Sequence, residues 1–162
     1  MSGRVNGIQT PIRLDYSYTA GRAATRFLQA ITDRRIVGQR CPKCEKVYVP
    51  PRGACPMCGV ATEEEVELPD KGTITTFCVV NLPFYGQAIK PPYVCASILL
   101  DGADIALFHL IQEVPAEEVR MGMRVEAVWD DAEELEPTME SIKHFRPTGE
   151  PDAPYDSYKE HL

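Results

Sequence analysis

Basic charge is in short supply in this chain, where 17 Lys and Arg stand against 24 Asp and Glu for a formal net charge of −7. A protein that tracks a phosphate backbone needs the opposite sign, so nucleic acid is not an expected partner. Histidine is scarce too, with only His109, His144 and His161. The first two lie on apolar, strand-like runs and the third near the end, positions that fit packed or half-exposed side chains better than general bases. Ser97 and Ser141 have no Gly-x-Ser-x-Gly elbow around them, and no Gly-rich phosphate loop occurs. The carboxylates gather at residues 63–65, in the 130–136 stretch and in the tail, where solvation is their ordinary explanation. No catalytic constellation emerges, so a non-catalytic protein is expected. Long apolar runs are missing as well, and no membrane span or membrane partner is expected. Met1 to Thr10 lacks the apolar centre of a secretory signal, from which a cytoplasmic setting with reduced cysteines follows.

What the chain does have is cysteine in a pattern. Cys41-Pro-Lys-Cys44 and Cys55-Pro-Met-Cys58 are two Cys-x-x-Cys pairs separated by ten residues. Each short turn delivers two sulfurs to one edge of a tetrahedron, which is what structural zinc requires. Glycine after Cys58 suits a tight turn whose N–H groups point at sulfur, and Glu45 takes the equivalent place in the first knuckle. Two disulfides are the competing reading, disfavoured by compartment, and iron in a rubredoxin-like site also satisfies four thiolates. A site closed by four cysteines leaves no position for catalytic water. The remaining cysteines, Cys78 and Cys95, lie in β-like apolar runs and read as small core residues.

Around the knuckles the chain divides into an arm at 1–16, a helix within 17–35, a metal ribbon at 36–68, a barrel at 69–147 and an acidic tail at 148–162. Ala24, Phe27, Leu28 and Ile31 make the stripe of an amphipathic helix from about Thr19, a potential cap, to Asp33, and packing within the same chain is its expected fate. Ile36–Arg40 reads as a strand entering the ribbon. Five further β segments follow: 73–80, 93–100, 105–111, 124–129 and 138–145, with a helix-compatible 115–119 between the third and fourth. The fold class is therefore mainly β with an N-terminal helix, a rubredoxin-like zinc ribbon followed by a five-stranded OB-fold barrel. Between the first two barrel strands, Leu82 to Pro92 is too long and too apolar for a solvated hairpin turn. Leu82, Phe84, Tyr85, Ile89 and Tyr93 are its candidate contacts with a partner or an acyl chain, or else they plug the barrel's open end. The tail cannot build a core, and Tyr155 and Tyr158 are candidate anchors to a partner.

The order of these features, with Pro50-Pro51-Arg52 between the knuckles, Gly72-Thr-Ile-Thr75 opening a strand and Pro91-Pro-Tyr-Val94 leading the next, resembles the DUF35 family of zinc-ribbon/OB-fold proteins over residues 17–147. The resemblance implies a structural zinc on Cys41, Cys44, Cys55 and Cys58. It also implies an accessory subunit, in a hetero-oligomer with a thiolase-superfamily or lipid-transfer-protein-like enzyme, that supports acyl-CoA binding or turnover. Within the family, Arg120 to Trp129 and His144-Phe-Arg-Pro147 are most similar to partners of aldolases in steroid side-chain degradation. Arg40, Lys43, Lys46 and Arg52, the basic residues near the ribbon, are candidates for CoA phosphates. A free-standing acyl-CoA carrier and a single-stranded nucleic-acid-binding OB module are the alternatives.

Overall fold

Alternation and periodicity in the sequence become one helix and eight strands in the computed structural model, which describes residues 7, 8, 10 and 12–162. The rest of the expected arm, residues 1–6, 9 and 11, lies outside the described residues. Residues 12–20 form neither helix nor strand, and Ile12, Leu14, Tyr16 and Tyr18 are exposed. Helix α1 (Gly21–Ile31) buries Phe27, Ala30 and Ile31 and packs on the first strand, within its own chain. It is shorter at both ends than the expected span from about Thr19 to Asp33. The residue before it is Ala20, with no side-chain cap, so Thr19 does not serve as one. At the other end Arg34 takes a left-handed conformation (φ 56°) and its N–H donates to Ile31 O, while the Arg35 N–H donates to Ala30 O, the turn that ordinarily recruits glycine.

The ribbon sheet contains β1 (Ile36–Arg40), β2 (Val47–Tyr48) and β3 (Glu64–Leu68), with β1 central and both neighbours antiparallel to it. Gly38 lets β1 pass closely over β2, since a Cβ there would lie 2.9 Å from Val47 Cγ1 and 3.0 Å from Tyr48 O. The acidic side chains of β3 are met by arginines: Glu64 by Arg40, Glu65 by Arg26 and Glu67 by Arg35.

Five strands close the barrel: β4 (Lys71–Val80), β5 (Tyr93–Leu100), β6 (Leu107–Ile111), β7 (Arg124–Trp129) and β8 (Ile142–Pro147), in the order β4-β5-β6-β8-β7. Only the β6–β8 pairing is parallel, through Ile111 and Phe145. The expected helix-compatible stretch is a short 3-10 turn at Ala116–Glu118, and a second one at Met139–Ser141 leads into β8. Inward residues Ile74, Ala96, Ile98, Leu100, Val125, Ile142 and Phe145 are almost wholly buried. They form one core with Phe27 and Ile31 of α1, Ile36 and Leu68 of the ribbon sheet, and Val47 and Val49 beside the knuckles. Asp104 stitches the seam: its N–H donates to Val47 O at 2.9 Å, and its carboxylate accepts the Val47 N–H at 2.8 Å.

The tail departs from expectation. Tyr158, a candidate partner anchor, is buried within its own chain, its hydroxyl packed near Gly122, while Tyr155 stacks edge-on against it and stays exposed. Arg120 grips Asp152 through two hydrogen bonds of 2.6 and 2.7 Å, Lys71 and Arg124 flank Glu150, and His161 Nδ1 donates to Asp104 O. The acidic composition that precludes a self-sufficient core thus serves to strap the tail onto basic residues of the barrel.

Candidate metal centre and candidate docking surface

The two knuckles repeat one backbone design. The Cys41 N–H donates to Lys46 O and the Glu45 N–H to Cys41 O; in the second knuckle Cys55 pairs with Val60 O and Gly59 with Cys55 O, all between 2.8 and 3.0 Å. Glu45 (φ 61°) and Gly59 (φ 66°) occupy the same left-handed position, so the glutamate replaces the glycine at a conformational cost that the closed site imposes. The ligand atoms of Cys41, Cys44, Cys55 and Cys58 all lie within 4.8 Å of one another, with Cys44 Sγ 3.7 Å from Cys55 Sγ. Zinc–sulfur bonds of ~2.3 Å in a tetrahedron give edges of about 3.8 Å, so the cluster is already set for the ion. Among the described residues no other group of three or more Cys, His, Asp or Glu is so arranged.

The surroundings tune the thiols. Lys43 and Cys44 N–H groups point at Cys41 Sγ from 3.4 and 3.5 Å. The Tyr48 hydroxyl, 3.2 Å from Cys55 Sγ, donates to the thiolate and holds Cys55 down to about 6, assisted by the Cys58 and Met57 N–H groups and opposed by burial. Burial drives Cys58 the other way, up to about 12, and a bound dication would compensate the charge that four buried thiolates bring together. Tyr48 is a functional residue that spacing alone did not expose, because it belongs to β2 and reaches sulfur only when the hairpin folds.

Of the basic phosphate candidates, Arg40 is engaged by Glu64 at 3.2 Å and by Glu45 O, and the Arg52 guanidinium lies 5.9 Å above the Tyr48 ring. Lys43 and Lys46 are exposed, with no ion pair among the described residues. The histidines are each tied into the fold. His109 packs edge-on against Phe145 at 5.6 Å, its Nδ1 accepts from the Leu110 N–H, and burial lowers its pKa; His144 Nε2 donates to Glu113 at 3.0 Å.

The β4–β5 connection stands out from the barrel. Leu82 is 79% exposed, Phe84 63% and Tyr85 fully so, whereas Ile89 and Tyr93 are half-buried at its base. Gln87 shapes the tip, accepting from the Phe84 N–H and donating to the Tyr93 hydroxyl. The tip is therefore not folded into the barrel's end. Beside Ile89 opens a cleft of about 670 Å³ lined by Pro50, Cys95, Leu107, Phe108, Leu110, Met139 and Ile142, with Glu140 and Lys143 among its polar residues. Phe108 is 64% exposed. In sequence Phe108 and Leu110 look like ordinary strand apolars, and only the register of β6 against β5, Phe108 opposite Ser97 and Leu110 opposite Cys95, puts them outside. Cys78 is exposed as well, contrary to its reading as a core residue, and Cys95 is half-buried in the cleft wall.

Two family models match in series, the rubredoxin-like zinc ribbon domain of ChsH2 over residues 28–64 and its C-terminal OB-fold domain over 65–130. A DUF35 domain-containing scaffold protein of Methanocaldococcus jannaschii is 41% identical over 58% of this chain and 67% of its own length. A probable enoyl-CoA hydratase alpha subunit of Thermomonospora curvata is 30% identical over 66% of this chain, which spans a third of that protein. Among solved structures, the Ltp2-ChsH2(DUF35) aldolase superposes with a TM-score of 0.60 at 29% identity, over 78% of this chain and 95% of that one. The cysteine cluster, the ribbon-then-barrel order and these likenesses agree, and the chain belongs to the DUF35 family, with a zinc ribbon followed by an OB fold.

Proposed function

We propose that this chain is a non-catalytic accessory subunit that docks on a thiolase-superfamily enzyme, a thiolase or a steroid side-chain aldolase, and supports acyl-CoA binding or turnover there. One observation carries the reading: the tip Leu82, Phe84 and Tyr85 is exposed on a loop braced by Gln87, next to an apolar cleft on the outside of a closed barrel. Aromatic anchors held in place before binding lose little entropy when a partner covers them, and such residues dominate interface energetics. The cleft's size lies within the ~300–1,000 Å³ of small-molecule sites, room for part of an acyl chain. Lys43, Lys46 and Arg52 are the basic residues open to CoA phosphates, with Arg40 already neutralised by Glu64. The scaffold name of the archaeal relative and the aldolase and hydratase names of the others support the same class of role. A nucleic-acid role has less support, because the barrel arginines Arg120, Arg124 and Arg146 are each paired with carboxylates.

Affinity capture of the tagged chain from its native cells, followed by mass spectrometry, tests this directly. A thiolase-superfamily protein in near-stoichiometric yield is expected, and recovery of the zinc-loaded chain alone would count against docking. Phe84→Asp is expected to abolish that complex while leaving zinc content unchanged; a complex that survives removes the loop from the interface.

A further inference from the structure

Six cysteines occur in the chain, four of them in the metal cluster, and the two left over face each other. Cys78 on β4 and Cys95 on β5 are direct partners in the antiparallel register, so both side chains rise from the same, outer face of the sheet. Directly opposed residues of antiparallel strands have Cα atoms roughly 4.5–5.5 Å apart, inside the ~4.4–6.8 Å window that a disulfide spans. Cys78 is exposed, whereas Cys95 is half-buried against the apolar cleft, and its pKa is raised by that burial and by Cys78 itself. Neither thiol belongs to the metal centre, and both are free.

We propose that Cys78 and Cys95 form a thiol–disulfide exchange site whose co-substrates are low-molecular-weight disulfides. The exposed Cys78 thiolate attacks one sulfur of the small disulfide, forming a mixed disulfide and expelling one thiolate. Cys95, facing it across the strand pair, then attacks Cys78 Sγ and expels the second. A Cys78–Cys95 bond replaces the small molecule's S–S bond, the two protein protons end on the two released thiols, and the two electrons pass from protein to co-substrate. Closure forms a ring containing the whole 81–92 connection and clasps it two residues from the Val80–Tyr93 pair at its base. The reaction involves this chain alone and stands or falls separately from docking on an enzyme.

The test incubates the zinc-loaded full chain with oxidised glutathione, blocks remaining thiols with N-ethylmaleimide and maps peptides without reduction. The expected product has lost two hydrogens, keeps its zinc, carries no maleimide on Cys78 or Cys95, and yields a peptide pair linked through them. Cys95→Ser is expected to stop at a persistent glutathione adduct on Cys78, and Cys78→Ser to leave Cys95 alkylatable after the same treatment. A wild-type chain that retains both thiols, or that accumulates the Cys78 adduct without closing, overturns the proposal. So does closure accompanied by loss of zinc, which would mean that the metal thiols are the ones oxidised.

Discussion

The ribbon and the barrel sit on one core and are held by different physics. Around the metal cluster the buried apolar material amounts to Cys41, Tyr48 and Cys55, served by a sheet whose β2 is two residues long. A module that small cannot bury enough surface to offset its chain entropy, and four thiolates on one cation supply what packing lacks. The barrel needs no such device: its strands close on themselves and bury Ile74, Ile98, Val125 and Phe145 almost completely. The difference teaches where each half is vulnerable. The two halves remain joined where Val47 and Val49 enter the common core and where Asp104 brackets Val47.

Removing the metal is the strongest way to break the comparison. Structural zinc is worth an apparent ~10–16 kcal/mol in isolated fingers, so chelation or Cys55→Ser is expected to unfold the ribbon. Hydrogen exchange is expected to show amides of 36–48 losing protection while those of β5 keep theirs. Equal loss in both would make ribbon and barrel a single cooperative unit. Next in size is Phe145→Ala in the barrel, a fully buried ring at the β6–β8 junction, expected to cost about 3–5 kcal/mol in denaturant unfolding. The folded fraction of that variant should still bind one zinc per chain, and loss of zinc under native conditions would show that the ribbon leans on the barrel. Asp104→Ala is the smallest and sharpens the seam itself. It leaves the buried Val47 N–H without its carboxylate acceptor, at a cost of about 1–3 kcal/mol, and faster exchange at Val47 than in β5 is the expected readout.

The legible parts of this chain were those written locally. Cysteine spacing announced the metal, the period of Phe27, Leu28 and Ile31 announced a helix, and β-branched runs placed all five barrel strands, two of them, 93–100 and 124–129, to the residue. Errors fell where a distant partner decides. Thr19 has the chemistry of a cap, yet the chain enters α1 through Ala20. Tyr158 and the acidic tail look unstructured until Arg120, Arg124 and Lys71 are brought to them. The basic cluster near the ribbon looks like a free patch until β3 lays Glu64 and Glu67 beside Arg40 and Arg35.

By itself, then, the sequence determined the metal ligands, the element types and the ribbon-then-barrel order, because turn chemistry, periodicity and ligand spacing act over a few residues. Only the tertiary structure decided that Tyr48 tunes Cys55, that Phe108 and Leu110 line an outer cleft, and that Cys78 meets Cys95. Each of these is a matter of register between segments far apart in the chain. A shift of one residue in a strand turns every side chain to the other face, and no local pattern records which register the closed barrel selects.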